Sequence, residues 1–255
     1  VGFISRLSYI YKELRRHLKD PALRQALKDR RYRDVLKINF RVGKSWEEAG
    51  GLERRRYTSY GDYLEHQRVK LDAIQLVERE REGLADYDVR YREVLGGRLA
   101  PLPVKWPGAR VLCLAARLGT EVRAFRDRGA WAWGVDLNPG EGNPLVLSAD
   151  FHYLPFRDAA FDAAFCNSLD HIFDLERFLG EVGRVLAPAG VLILEVQAGR
   201  AEGRKAGQYE SFWWESIGAL LSQLGRGGWK PQLRTPLEYP WPGELIILRH
   251  YPASP

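Results

Sequence analysis

Methionine is absent from all 255 residues, and cysteine occurs only twice, as Cys113 and Cys166. Both cysteines sit inside apolar runs, and no Cys-x-x-Cys, His-Glu-x-x-His or paired Cys/His spacing exists. A disulfide framework, a structural zinc site and a zinc protease therefore have no support, and no metal ligand set is assigned. Two buried, reduced thiols point to a cytoplasmic setting. Long hydrophobic runs are missing too: stretches such as 111–116 and 191–194 fall well short of the roughly 20 residues that cross a bilayer. Arg6 interrupts the first apolar stretch almost at once, so no secretory signal is expected.

What is present is ordinary in bulk, with 45% apolar and 28% charged residues. Against a typical ~150 residues per domain, the length suggests one large domain or one domain with an appendage. A chain of this size buries about 70% of its unfolded surface and needs no cross-link to hold a core. The net charge of +6 is unevenly spread: residues 1–41 hold 12 Lys/Arg against 4 Asp/Glu, and the remainder is close to neutral.

That basic arm reads as two amphipathic helices. Phe3, Leu7, Ile10, Leu14 and Leu18 recur every three or four residues, with Arg15, Arg16 and Lys19 off the stripe. Asp20-Pro21 gives an N-cap followed by a proline suited to the first helical position. Leu23, Leu27, Val35 and Leu36 continue less regularly among Lys28, Arg30, Arg31 and Arg33. Such an extension, assigned to residues 1–50, either packs its apolar stripe on the main domain with its basic face solvated, or offers a surface to anionic lipid or nucleic acid.

Residues 43–60, rich in Gly, Ser and charge, read as a connection. Leu64, Val69, Leu71, Ile74 and Val77 predict a helix from Tyr63 to about Leu84. After Pro101, Pro103 and Pro107, strand-like runs alternate with helical ones: strands at 110–116, 131–137, 144–151, 161–168 and 190–197, helices from Thr120 and over 175–186. This alternation means βαβ units and a parallel sheet. A helix near 212–224 is followed by strands at 232–237 and 244–249, joined by Tyr239-Pro-Trp-Pro-Gly243. So short a connection makes the last two strands antiparallel.

In such a sheet the ligand sits beyond the carboxyl ends of the central strands. The first of them runs into Leu114-Ala-Ala-Arg-Leu-Gly-Thr-Glu121, and twenty residues after Ala116 comes Asp136, where an acid can accept from both hydroxyls of a ribose. Then follow in order Ser148-Ala-Asp-Phe-His-Tyr-Leu-Pro-Phe156, Phe161-Asp-Ala-Ala-Phe-Cys-Asn-Ser168, Leu169-Asp-His-Ile-Phe-Asp174 and Arg184-Val-Leu-Ala-Pro-Ala-Gly190. This series resembles the class I S-adenosylmethionine-dependent methyltransferases, in particular the type 11 group, strongly over about 109–197 and more loosely in the closing strands.

The resemblance implies an α/β, Rossmann-like, seven-stranded, mostly parallel sheet with an antiparallel last strand pair, occupying residues 51–255 with a helical cap. It implies S-adenosyl-L-methionine as cofactor. Asp136, with Leu137 and Asn138, would meet the ribose; Asp150 would accept from the adenine amino group with Phe151 beside the ring. Ala115, Ala116, Arg117, Leu118 and Gly119 would run past the methionine end, with Glu121 as a partner for Arg117, and Asn167 and Ser168 would line the transfer mouth. Where the family carries an acid and two glycines, this chain has Cys113, Ala115 and Arg117. A nicotinamide enzyme is disfavoured, because no Gly-x-Gly-x-x-Gly follows the first strand and no tyrosine has a lysine four residues later.

Methyl transfer is an in-line displacement, and a base is needed only where the acceptor must lose a proton. Asp170 and His171, just past the fourth strand, are the catalytic candidates; His171 alternatively packs the loop. Asp174 is read as an N-cap, and His152 as lying near the adenine end. His66 with Tyr57 and Tyr60 forms either a lid or an ordinary packed helix. The Gly-, Arg- and Ala-rich stretch 198–208 before Tyr209, Phe212, Trp213 and Trp214 suits a gate. A small-molecule or glycan acceptor is favoured, an RNA or nucleotide-linked acceptor is the alternative, and a non-catalytic scaffold on the same fold is the third reading.

Overall fold

The structure, a computed structural model, describes residues 3–42, 45–78 and 84–251; the side chains of Phe3, Leu71, Ile74 and Val77, placed above on helical stripes, lie outside the described residues. The arm forms three helices rather than two: α1 (Phe3–Lys19), α2 (Pro21–Ala26) and α3 (Arg30–Arg41). Asp20 caps α2 by accepting from Ala22 N and Leu23 N, with Pro21 opening the helix. The second break, absent from the sequence reading, comes where Asp29 accepts from Arg31 N and restarts the chain as α3.

The stretch read as a connection holds a hairpin, β1 (Trp46–Ala49) and β2 (Leu52–Arg55). Gly50 and Gly51, both at positive φ (60° and 78°), make its two-residue turn, a conformation that the twist of paired strands favours and that glycine adopts without steric cost. The 50/51 division between extension and main domain falls in that turn. Two helices follow, α4 (Tyr60–Glu78) and α5 (Leu84–Leu99). The sequence reading has no counterpart to α5, which among its described side chains buries a single row, Tyr91, Leu95 and Leu99, at four-residue spacing.

Beyond the prolines the chain alternates as expected: β3 (Arg110–Leu114), α6 (Thr120–Asp127), β4 (Trp131–Asp136), β5 (Val146–Ser148), β6 (Phe161–Cys166), a 3-10 turn at Leu169–His171, α7 (Leu175–Val185) and β7 (Leu186–Gln197). Phe212–Trp214, read as the start of a helix, is instead a strand, β8, that pairs antiparallel with β2. The helix α8 (Ile217–Arg226) starts only after Ser216, whose side chain accepts from Ala219 N. The chain closes with β9 (Trp229–Leu237) and β10 (Gly243–His250).

Seven strands form one sheet in the order β5-β4-β3-β6-β7-β10-β9, with β10 antiparallel to both neighbours and the rest of the pairings parallel. This is the expected Rossmann-like, seven-stranded, mostly parallel arrangement. Alternation along β3 feeds two cores: Val111 and Cys113 pack with Phe125, Leu95 and Leu99 of α6 and α5, while Leu112 and Leu114 pack with Phe178, Leu220 and Trp214 on the other face. Strand order reverses between β3 and β6, and there a crevice opens at the carboxyl ends of the strands.

Candidate active site

At that crevice the chain leaves β3 through Ala115, Arg117 and Gly119, all in the left-handed region with φ of 54°, 45° and 90°. Non-glycine residues seldom adopt it, at about 1–2 kcal/mol each. The turn thus keeps the path that a glycine-rich loop would take although two of its glycines are absent. Asp136, at the end of β4, compensates: its carboxylate accepts from Arg117 N at 2.9 Å and from Asn138 N at 2.8 Å, tying the two loops together while lining the cleft. The Arg117 guanidinium pairs with Asp88 at 3.4 Å, lies 5.6 Å from the Tyr87 ring centre and has the buried Glu121 carboxylate as its foremost charge partner, so α5 and α6 share its charge.

The cleft, open to solvent at its mouth, is walled by Ala115, Arg117, Asp136, Leu137, Phe151, Ser168 and His171 together with Tyr63, Gln67 and Lys70. The first seven were predicted. The last three were not: they lie at i, i+4 and i+7 on one face of α4, which crosses the crevice. That polar-edged face was the available signal, but nothing in the sequence says what it covers. Of the other predicted residues, Ala116, Leu118, Gly119, Glu121, Asn138, Asp150, Asn167 and Asp170 do not appear in the lining.

Their positions have local causes. Glu121 is buried in the first turn of α6 and accepts from Asn167 Nδ2 at 3.0 Å; Asn167 also donates to Tyr91 OH at 2.8 Å. Tyr91 in turn donates to Glu195 Oε2 at 2.7 Å, and Arg98 pairs with Glu195 Oε1 at 2.7 Å, a buried network that joins α5 to β6 and β7. Asp150 accepts from Tyr60 OH at 2.5 Å and from His152 N and Nδ1 at 2.8 and 2.9 Å. Burial pushes the Asp150 carboxyl up, but these hydrogen bonds outweigh it and hold it below the usual range. His152 Nε2 accepts from Phe173 N and Asp174 N, which fixes the proton on Nδ1 and makes this histidine a bracket between loops. His66 is buried, meets Tyr57 OH at 2.9 Å and stacks on Tyr209, so it packs α4 against its neighbours and does not line the cleft.

The two catalytic candidates stay together, with Asp170 Oδ2 3.7 Å from His171 Nε2, but only one of them lines the cleft. Successive residues of a 3-10 turn point about 120° apart. His171 faces the cleft, whereas Asp170 sits behind it, accepting from Gln197 Nε2 at 3.1 Å. His171 donates through Nδ1 to the Tyr209 carbonyl at 3.1 Å, and its Nε2 accepts from Lys70 Nζ at 2.5 Å. Burial and then the Lys70 charge push the imidazole well below its ordinary value. Burial likewise lowers Lys70, partly offset by Asp170 and Glu210, while burial and Glu210 raise Asp170. Asp170, His171 and Glu210 gather ligand atoms within 4.8 Å of one another, a set with the composition of a cation site. The Lys70 amine on His171 Nε2 supplies that positive charge from the chain itself.

Residues 112–194 match a family model described as a methyltransferase domain, of the type 11 group. This segment is similar to the type 11 methyltransferase domain, and the strand order above is the class I fold. Demethylmenaquinone methyltransferase of Thermus thermophilus is 34% identical over 122 residues, 42% of this chain and 54% of that protein. Malonyl-(acyl-carrier protein) O-methyltransferase of Serratia marcescens is 27% identical over 139 residues, 51% of this chain and 54% of that protein. The chain thus spans about half the length of the curated relatives it matches. The crystal structure of Burkholderia thailandensis 1,6-didemethyltoxoflavin-N1-methyltransferase, with 1,6-didemethyltoxoflavin and S-adenosylhomocysteine bound, shares the fold with a TM-score of 0.59 at 17% identity, over 81% of this chain and 99% of that one.

Proposed function

We propose that this chain is an S-adenosyl-L-methionine-dependent methyltransferase acting on a small-molecule acceptor, with residues 1–50 as a basic helical extension and 51–255 as the catalytic domain. The observation that carries the reading is Asp136, a half-buried carboxylate facing the cleft beside a β3 turn held in left-handed conformations without its glycines. A turn costing about 1–2 kcal/mol per strained residue is retained where its path is used. The residues present fit the cofactor: a carboxylate with lone pairs left for a diol at Asp136, an apolar wall at Leu137 and Phe151, and open backbone at Ala115. When bound, S-adenosyl-L-methionine supplies an electrophilic methyl group on a sulfonium.

The chain's own residues do the rest. Ser168 and Gln67 offer polar contacts for orienting an acceptor, and Tyr63 walls the cleft from α4. The Lys70–His171 pair holds the proton-accepting capacity, with Lys70 Nζ as the accepting atom and His171 fixed behind it by the Tyr209 carbonyl. A crevice crossed by α4, with apolar walls and a few polar groups, suits a small acceptor better than a polymer. The names of the similar proteins span demethylmenaquinone, malonyl-(acyl-carrier protein) and 1,6-didemethyltoxoflavin, two of them small molecules and one carried on a protein.

Calorimetric titration with S-adenosylmethionine and S-adenosylhomocysteine tests the reading. Micromolar binding to the wild type, weakened at least about tenfold by Asp136→Ala, is the expected result. A wild type that unfolds cooperatively yet takes up neither ligand at millimolar concentration would overturn it in favour of the scaffold reading.

A further inference from the structure

We propose that α1 docks on an anionic lipid surface through the face formed by Leu7, Ile10, Tyr11, Leu14 and Leu18. An amphipathic helix in a globular protein normally turns its apolar stripe inward. Here the reverse holds: these five side chains are 50, 42, 60, 58 and 71% exposed. The face toward the molecule carries Tyr9 and His17, both buried, and Arg16, which reaches Gln208. His17 is held there by Tyr32 OH at 3.1 Å and the Glu13 carbonyl at 2.7 Å. Polar contacts therefore fix which side of α1 looks out, and it is the leucine side.

Single exposed apolar residues are normal on any protein, but five in one helical row form a patch that calls for a partner. The row is bordered by exposed Lys12, Arg15 and Lys19, with Arg15 stacked over Tyr11 at 5.7 Å. Apolar side chains at the outermost position with cations along the border match an anionic bilayer interface, where leucine enters the acyl boundary and lysine meets the headgroups. Nucleic acid fits less well, because phosphates gain nothing from the leucines that project furthest. The arm also joins the candidate active site: Asn39 Nδ2 donates to Tyr209 OH at 3.2 Å, and the Tyr209 carbonyl holds His171. Docking would bring the cleft wall to the membrane as one unit. The inference does not depend on the methyl-transfer reading.

Flotation of the full chain with phosphatidylcholine vesicles, with and without phosphatidylglycerol, provides the test, alongside the double variant Leu14→Glu, Leu18→Glu. Both positions are exposed, so the variant should keep the wild-type circular dichroism and melting curve. The expected result is binding to the phosphatidylglycerol vesicles that weakens with salt and falls at least about tenfold in the variant. Absent binding, or equal binding by the variant, overturns the proposal. Should vesicles fail while light scattering gives twice the chain mass, reverting to one chain in the variant, the face belongs to a second copy. Retained duplex-RNA binding by the variant without vesicle binding would assign the arm to nucleic acid instead.

Discussion

An ammonium group enclosed beside a histidine is unfavourable unless carboxylates lie close, and around Lys70 Asp170 and Glu210 supply them. The result is an amine whose pKa lies below the ordinary lysine range, because the loss of hydration outweighs the carboxylates. The sign for catalysis follows. The neutral amine accepts a proton, so kcat/KM should climb as pH rises toward a lowered Lys70 pKa, and Lys70→Met should lose that ascending limb with a drop of about 10²–10⁴ in rate. A pH–rate series on both proteins checks it. A flat wild-type profile, or a Lys70→Met enzyme of undiminished rate, would remove Lys70 from the chemistry. Asp136 was legible in the sequence because its distance from the β3 turn is set by one helix and one strand. Lys70 was not: a lysine in a helix reads as solvated, and only the fold brings it across 101 positions to His171.

Among the elements, those with local signals at both ends were readable. Helix α7 has Asp174 at its N-cap, accepting from Arg177 N at 3.0 Å, and a buried stripe of Leu175, Phe178, Leu179, Val182 and Val185. Replacing Asp174 by Ala leaves that orphan donor to water and should cost about 1 kcal/mol. Urea denaturation should show the loss as a lower midpoint at unchanged slope; an unchanged midpoint would mean the α7 start is held by packing alone. Elements that depend on distant partners were misread. The Phe212–Trp214 strand exists because β2 lies beside it, and beyond it the regular spacing of Ile217, Leu220 and Leu224 drew the helix reading backward. The Gly50-Gly51 turn was a local hairpin signal, submerged in a charged stretch that resembles linker. Helix α5 hid because its buried row is one residue wide and two glycines, Gly96 and Gly97, interrupt it.

At the level of the whole molecule, the antiparallel closing pair followed from connection length, since a parallel pair needs a crossover and the turn before β10 is too short for one. Two crossovers lack a helix: residues 137–145 join β4 to β5 and 149–160 join β5 to β6 without one, and Trp131, Trp133 and Leu147 stay exposed at that edge. How the arm would sit was not legible, because helical periodicity gives a stripe but not the direction in which it faces. The structure divides the burial accordingly. The two large core clusters draw nothing from residues before Leu52, whereas the arm holds a separate cluster of Leu23, Ala26 and Tyr32. A core of three residues is far too small to be stable by itself. The arm is therefore folded by docking, through contacts such as Asn39 to Tyr209, while the main domain carries its own stability. Removing residues 1–41 should leave a single cooperative urea transition with a slope reduced only in proportion to the shorter chain. The same deletion should loosen Tyr209 and with it His171, so the catalytic rate should fall more than the denaturation midpoint does. A truncated chain that loses cooperativity would show instead that the arm is part of the main folding unit.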